Sequence, residues 1–191
     1  MLDRLRARLG RSLLSMGLLF SKTGLSPTSW TLVGLLVSIG AAAAYWSSGY
    51  RGELAGGLLI LASGFFDLVD GAVARATSSV SKRGAFFDST LDRVAEVAIY
   101  SGILLGGLAS PLDTLVALSL SLLVSYTRAK ADSLGVSLSG IGIGERSERL
   151  LALAMFSIAG FAGYGVLLVA TLAAVTFLER VYTASKALRN A

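Results

Sequence analysis

Four carboxylates, Asp67, Asp70, Asp88 and Asp92, fall near the ends of two long apolar stretches. An unpaired charge there costs at least about 2.5 kcal/mol by insertion scales, so these groups need partners. Asp67 and Asp70 are three residues apart, and Asp88 and Asp92 four, so on helices each pair projects from one face. A short turn around Ser78 to Arg83 brings the two faces together. Four clustered carboxylates repel one another if ionised and unneutralised, which leaves protonation, pairing with Arg75 and Arg93, or divalent cations. All-oxygen ligands in a chain without histidine or cysteine favour Mg²⁺ or Mn²⁺. Two helices offering two carboxylates each suit a pair of ions about 4 Å apart, as in two-metal phosphoryl transfer.

The residues beside the carboxylates are small. Gly71 and Ala74 stand at i+4 and i+7 from Asp67 and leave the same helix face bare, which would admit a flat ligand. Gly84 stands four before Asp88 and serves equally as part of that face or as a turn residue.

The elements that must hold these residues are membrane helices. The chain has 191 residues, 54% hydrophobic and 15% charged, with a mean hydropathy of +0.71, too apolar for a soluble domain of this size. Without cysteine there is no disulfide, thiolate nucleophile or cysteine-ligated zinc, and without histidine the usual neutral-pH base is missing. Seventeen Lys+Arg against 12 Asp+Glu give +5, suited to anionic headgroups or phosphorylated substrates. The basic residues form no single stripe, so nucleic acid is not expected as a partner.

Stretches long enough to cross a bilayer, about 20 residues each, run from Pro27 to Trp46, Glu53 to Thr77, Gly84 to Ala109, Leu112 to Ala131, Arg149 to Ala162 and Tyr164 to Lys186. The expected fold is an all-α integral membrane protein of six transmembrane helices. The alternative has five spans, the last a long bent helix. Before them, Arg4, Arg6, Arg8 and Arg11 precede apolar positions at helical spacing, so residues 1–22 read as an amphipathic juxtamembrane helix. Lys and Arg collect in the N-terminal arm, at Lys82 and Arg83, from Arg128 to Arg149, and at Arg180, Lys186 and Arg189. The positive-inside rule thus puts both termini and the carboxylates on the cytoplasmic side of the cell membrane. No linker or repeat divides the chain, so residues 1–191 read as one domain with its bundle over 27–186. Most of the 22 glycines lie within spans, where they permit close helix packing.

The full arrangement, Asp67-x2-Asp70-Gly71-x2-Ala74-Arg75-x8-Gly84-x3-Asp88-x3-Asp92, resembles the defining pattern of the CDP-alcohol phosphotransferase family at every fixed position. The resemblance implies that Asp67, Asp70, Asp88 and Asp92 hold two Mg²⁺ or Mn²⁺ ions, with Asp92 also the base that takes the acceptor hydroxyl's proton. It implies a pocket for the cytidine diphosphate of a CDP-lipid bordered by Gly71, Ala74, Arg75, Ser81 and Gly84, together with Thr28, Ser29, Trp30 and Thr31. It further implies a homodimer. From the residues alone, the Ser-Pro-Thr-Ser stretch is no more than a helix start.

For the acceptor, the segment from Ser125 to Asp132 and the loop Gly144-Glu145-Arg146-Ser147-Glu148-Arg149-Leu150 resemble the branch that makes phosphatidylinositol phosphate or archaetidylinositol phosphate. In that branch the positions of Arg128, Arg149 and Arg180 bind the phosphate of inositol 1-phosphate. Arg128 replaces a more usual lysine, and Ser147 a usual proline. Three converging guanidinium groups suit a phosphate dianion better than a neutral alcohol. The expected activity is transfer of a phosphatidyl or archaetidyl group from a CDP-lipid to inositol 1-phosphate, in phospholipid biosynthesis. Glycerol 3-phosphate is the alternative acceptor. A small ion transporter is the alternative of another class, and it requires carboxylates near the bilayer midplane. The loop from Gly135 to Gly144 reads as an exposed connection able to gate the cavity.

Overall fold

The computed structural model describes residues 2–189 as seven helices with no strand among them: α1 (Leu2–Ser21), α2 (Pro27–Trp46), α3 (Gly49–Ala76), α4 (Lys82–Leu105), α5 (Pro111–Ser133), α6 (Arg146–Ile158) and α7 (Ala162–Arg189). The side chains of Arg4, Arg6, Arg8 and Arg11, on which the amphipathic reading of α1 rests, lie outside the described set.

Serines start three of these helices. Ser26, Ser81 and Ser110 accept hydrogen bonds from the backbone N–H of Ser29, Gly84 and Asp113 at 3.2, 3.0 and 3.1 Å. Pro27 and Pro111 follow two of them in the first turn, where a missing N–H costs nothing. The α3 helix ends where Ser78 takes a φ of 52° and the Ser79 N–H returns to the Ala74 carbonyl at 2.9 Å, which turns the chain into α4.

Four helices, α2, α3, α5 and α7, are long and apolar enough to cross a membrane. The other two expected spans are limited by different physics. The first 15 residues of α4 carry Lys82, Arg83, Asp88, Asp92, Arg93 and Glu96. The 13 residues of α6 rise only about 20 Å. Gly160, at a φ of 82°, turns the chain between α6 and α7. The two then pack as a hairpin with Phe156 against Gly165, so no single bent helix runs through this region.

The core contains Tyr45, Ile60, Ile99, Tyr100, Ile103, Leu153, Val166 and Val169, contributed by α2, α3, α4, α6 and α7. The short α6 lies hard against α3: a side chain at Gly57 would stand 2.8 Å from the Ala154 carbonyl. Buried hydroxyls tie helices together, with Tyr45 donating to Ser157 at 2.7 Å and Ser38 paired with Ser63 at 2.7 Å. At one end of the bundle Glu53 accepts the Ala162 N–H at 2.7 Å and Ser48 donates to the Gly106 carbonyl at 2.9 Å. The four aspartates and the basic segments are all at the other end. The 134–145 connection is no free flap. Leu138 is fully buried against Ala131 and Ala184, Gly144 N–H donates to Thr176, and Arg180 donates to the Ile141 carbonyl.

Candidate active site

The α3–α4 turn sets the site. It brings one carboxylate oxygen each from Asp67, Asp70 and Asp88 within 4.8 Å of one another. Asp70 is buried, and its Oδ2, like Oδ1 of Asp88, has no hydrogen-bond partner. Buried, unpartnered carboxylate oxygens facing one another fit a hard divalent cation, which takes oxygen ligands and neutralises their charge. Asp92 stands outside that trio. Its Oδ1 pairs with Arg146 at 2.9 Å and its Oδ2 with Arg93 at 3.4 Å. Arg146 also reaches Asp67 at 3.5 Å. Among the described residues, arginine pairing in the cluster therefore comes from Arg146 and Arg93, and not from Arg75.

The aspartates form a wall between two cavities. On one side a cavity of about 400 Å³ is lined by Thr28, Thr31, Asp70, Gly71, Ala74, Arg75, Ser81, Gly84 and Asp88. Gly71 leaves room for Arg75 at its wall, since a Cβ there would stand 3.3 Å from Nη1 of that arginine. Gly84 lies inside α4 and lines the cavity, so it is not a turn residue. Ser81 both caps α4 and faces the cavity. Two of the expected nucleotide residues stand elsewhere. Ser29 is occupied with Ser26, and Trp30 is buried with Val69 and Val73, stacked on Phe66. At helical spacing only Thr28 and Thr31 of that run can share the cavity face.

On the other side a cavity of about 820 Å³ is lined by Asp67, Asp92, Asp132 and Glu145 and by five arginines, Arg93, Arg128, Arg146, Arg149 and Arg180. The three arginines expected there, from α5, α6 and α7, do converge, but they differ in freedom. Arg128 is exposed, 4.0 Å from Glu145. Arg180 is 2% exposed and donates to the carbonyls of Ile141 and Val124 at 3.0 Å each. Arg149 is 1% exposed, paired with Glu96 at 2.9 Å and donating to the Gly144 carbonyl at 2.7 Å. A crevice of about 10 Å³ lies between them, sharing Asp67, Asp92 and Arg146 with the larger cavity and Thr31 and Asp70 with the smaller.

Sequence reasoning missed Arg146 and Glu96. Arg146 sits three residues before Arg149 in a loop already singled out, and its spacing would have put both on one face of α6. Glu96 continues the Asp88, Asp92 series at i+4, a signal that stopping at the motif's last aspartate concealed.

Residues 25–181 match the family described as CDP-alcohol phosphatidyltransferase. The chain belongs to that family. Among curated members it is 37% identical over 188 residues to the archaetidylinositol phosphate synthase of Pyrococcus horikoshii, covering 98% of each chain. Two crystal structures of the phosphatidylinositol phosphate synthase of Mycobacterium tuberculosis share its fold with a TM-score of 0.78. One, with CDP-DAG bound, is 26% identical and covers 91% of this chain and 94% of its own. The other, in complex with manganese and citrate, is 25% identical, covering 90% and 88%. The chain is thus a transferase of the CDP-alcohol phosphatidyltransferase family. Its aspartate cluster has the donor set of a divalent-cation site.

Proposed function

We propose that this chain transfers the phosphatidyl or archaetidyl group of a CDP-lipid to inositol 1-phosphate and releases CMP. The observation that carries the reading is the aspartate wall shared by two cavities, one suited to a nucleotide and the other rich in arginine. The names of the relatives, which are inositol phosphate lipid synthases, support the acceptor.

Asp67, Asp70, Asp88 and Asp92 would hold two Mg²⁺ or Mn²⁺ ions, which when bound supply neutralisation of the diphosphate and of charge developing on the leaving phosphate. Gly71, Ala74 and Gly84 leave room for the cytosine ring, with Thr28, Thr31 and Ser81 at the rim. Arg75 provides a forked contact for phosphate oxygens. Ser29 and Trp30 contribute by starting and anchoring α2. In the larger cavity Arg128, Arg149 and Arg180 hold the acceptor's phosphate, with Arg128 the one most open to an incoming anion. Asp92 takes the proton of the acceptor hydroxyl. The oxygen attacks the β-phosphorus, the bond from that phosphorus to the bridging oxygen breaks, and CMP leaves. The protein forms no covalent intermediate. Its work is positioning and electrostatics.

The same proposal includes one domain over 1–191, with α1 on the membrane surface and six crossings, α4 and α6 shielded by their neighbours. The basic end of the bundle then faces the cytoplasm with both termini, and two copies assemble as a homodimer through small-residue helix faces. The test is CMP release by purified protein with Mg²⁺ and a CDP-lipid. Inositol 1-phosphate is compared with glycerol 3-phosphate, serine and free inositol. Turnover with inositol 1-phosphate alone is expected. Preference for glycerol 3-phosphate would keep the metal chemistry and overturn the acceptor assignment.

A further inference from the structure

Beneath the pair formed by Asp92 and Arg146 lies a second one. Asp92 and Glu96 are successive on one face of α4, and Arg146 and Arg149 on one face of α6. Asp92 meets Arg146 at 2.9 Å and Glu96 meets Arg149 at 2.9 Å, two rungs across helices whose backbones are not close-packed neighbours. The upper rung faces both the aspartate cluster and the larger cavity. The lower rung is 1% exposed on both sides, and of its two residues it is Arg149 that lines the larger cavity.

A buried ion pair is expensive, and an apolar pair of the same volume often serves stability as well or better. This one is also incompletely bonded: Oε2 of Glu96, Nε of Arg149 and the hydroxyl of nearby Ser121 are buried without hydrogen-bond partners. Stability is a poor reason to keep it. What the pair does is fix the Arg149 guanidinium. Glu96 takes one Nη and the Gly144 carbonyl takes the other, so the guanidinium is held from two sides beside the cavity that Arg149 helps to line. Because Glu96 is one helical turn from Asp92, the same turn of α4 sets how far the base stands from this arginine.

We propose that Glu96 is a positioning residue for the acceptor. It holds Arg149 at a set separation from Asp92, so that a phosphorylated alcohol is accepted only when its hydroxyl and phosphate match that separation. The inference rests on the proposed roles of Asp92 and Arg149, and the wild-type acceptor comparison tests those first. Failure there appears in the unmutated protein, whereas failure of the present inference appears only in variants, measured with whichever phosphorylated alcohol the wild type uses best.

In detergent-purified protein, Glu96→Gln is expected to raise the acceptor KM about tenfold or more, the cost of misplacing a charged hydrogen bond. The KM for the CDP-lipid and the affinity for Mn²⁺ should stay within about twofold, since neither cavity wall nor cluster is touched. Glu96→Asp, which keeps the charge, should fall between wild type and Glu96→Gln. The Glu96→Gln/Arg149→Gln pair should be no worse than Arg149→Gln alone. If Glu96→Gln fails to accumulate as folded protein, Glu96→Asp carries the same three-way comparison. An unchanged acceptor KM, a CDP-lipid KM rising in step with it, or additive effects of the two substitutions would each overturn the proposal.

Discussion

Arg146 offers the sharpest test of the site. Its guanidinium lies 2.9 Å from Oδ1 of Asp92, and the two side chains are 18% and 16% exposed. At that separation and an effective dielectric of about 20, the gross attraction is roughly 5 to 6 kcal/mol. Desolvation and side-chain entropy reduce the net value of such a charged hydrogen bond to about 1.5–3 kcal/mol. Arg146→Gln keeps most of the side chain's length and removes the charge. If Arg146 holds Asp92 toward the acceptor hydroxyl, kcat/KM for the acceptor should fall by about 10- to 100-fold, the rate equivalent of that energy. The fall should appear in kcat, with the CDP-lipid KM little changed, because Arg146 does not line the smaller cavity. The assay is CMP release at saturating lipid and varied acceptor, with thermal unfolding of the same samples in detergent. A kcat/KM within threefold of wild type would refute the reasoning. So would a loss matched by a collapse in thermal stability, since that would make Arg146 a fastener of α6 and nothing more.

Three further substitutions probe separate parts of the molecule. Asp92→Asn should abolish turnover while the protein still binds CDP-lipid in a direct binding assay; full activity would remove Asp92 as the base. Gly71→Val places methyl groups where Nη1 of Arg75 already stands 3.3 Å from a Cβ, so the CDP-lipid KM should rise about tenfold or more with the acceptor KM unchanged. Tyr45→Phe removes a buried hydrogen bond to Ser157 but leaves Ser157 bonded to the Leu153 carbonyl. It should cost about 1 kcal/mol in detergent melting and leave both KM values as they were.

Much of this architecture is legible in the sequence. The starts of α2 and α5 follow from Ser-Pro, and the approach of Asp67 and Asp70 to Asp88 follows from helical spacing and a short turn, whereas Asp92 is paired with Arg146 and Arg93. The aspartates all lie in the half of the bundle that holds the α3–α4 turn. Other features were hidden because they depend on contacts across the bundle. Nothing local says that Leu138, in a glycine-bearing loop, is fully buried, or that the loop is tied down by Thr176 and Arg180. Nor does a count of arginines reveal that Arg149 and Arg180 are largely engaged by protein groups while Arg128 is open. The family resemblance implies a nucleotide contact for Trp30, but its helical phase points it inward at Val69 and Phe66.

The shortness of α6 has a consequence for how two unlike substrates meet. Tyr45 near the end of α2 is bonded to Ser157 near the end of α6, so the two helices finish level, yet α2 has 20 residues and α6 only 13. The seven-residue difference leaves the start of α6, with Arg146, sunk about 10 Å below the start of α2. If the chain spans a bilayer as proposed, this recess would bring the aqueous phase down toward the aspartates. On that reading a lipid donor would keep its tails among its neighbours while it reacts, and the water-soluble alcohol would make the descent. Extraction of a two-tailed lipid would then be unnecessary, because the smaller, better hydrated molecule travels instead.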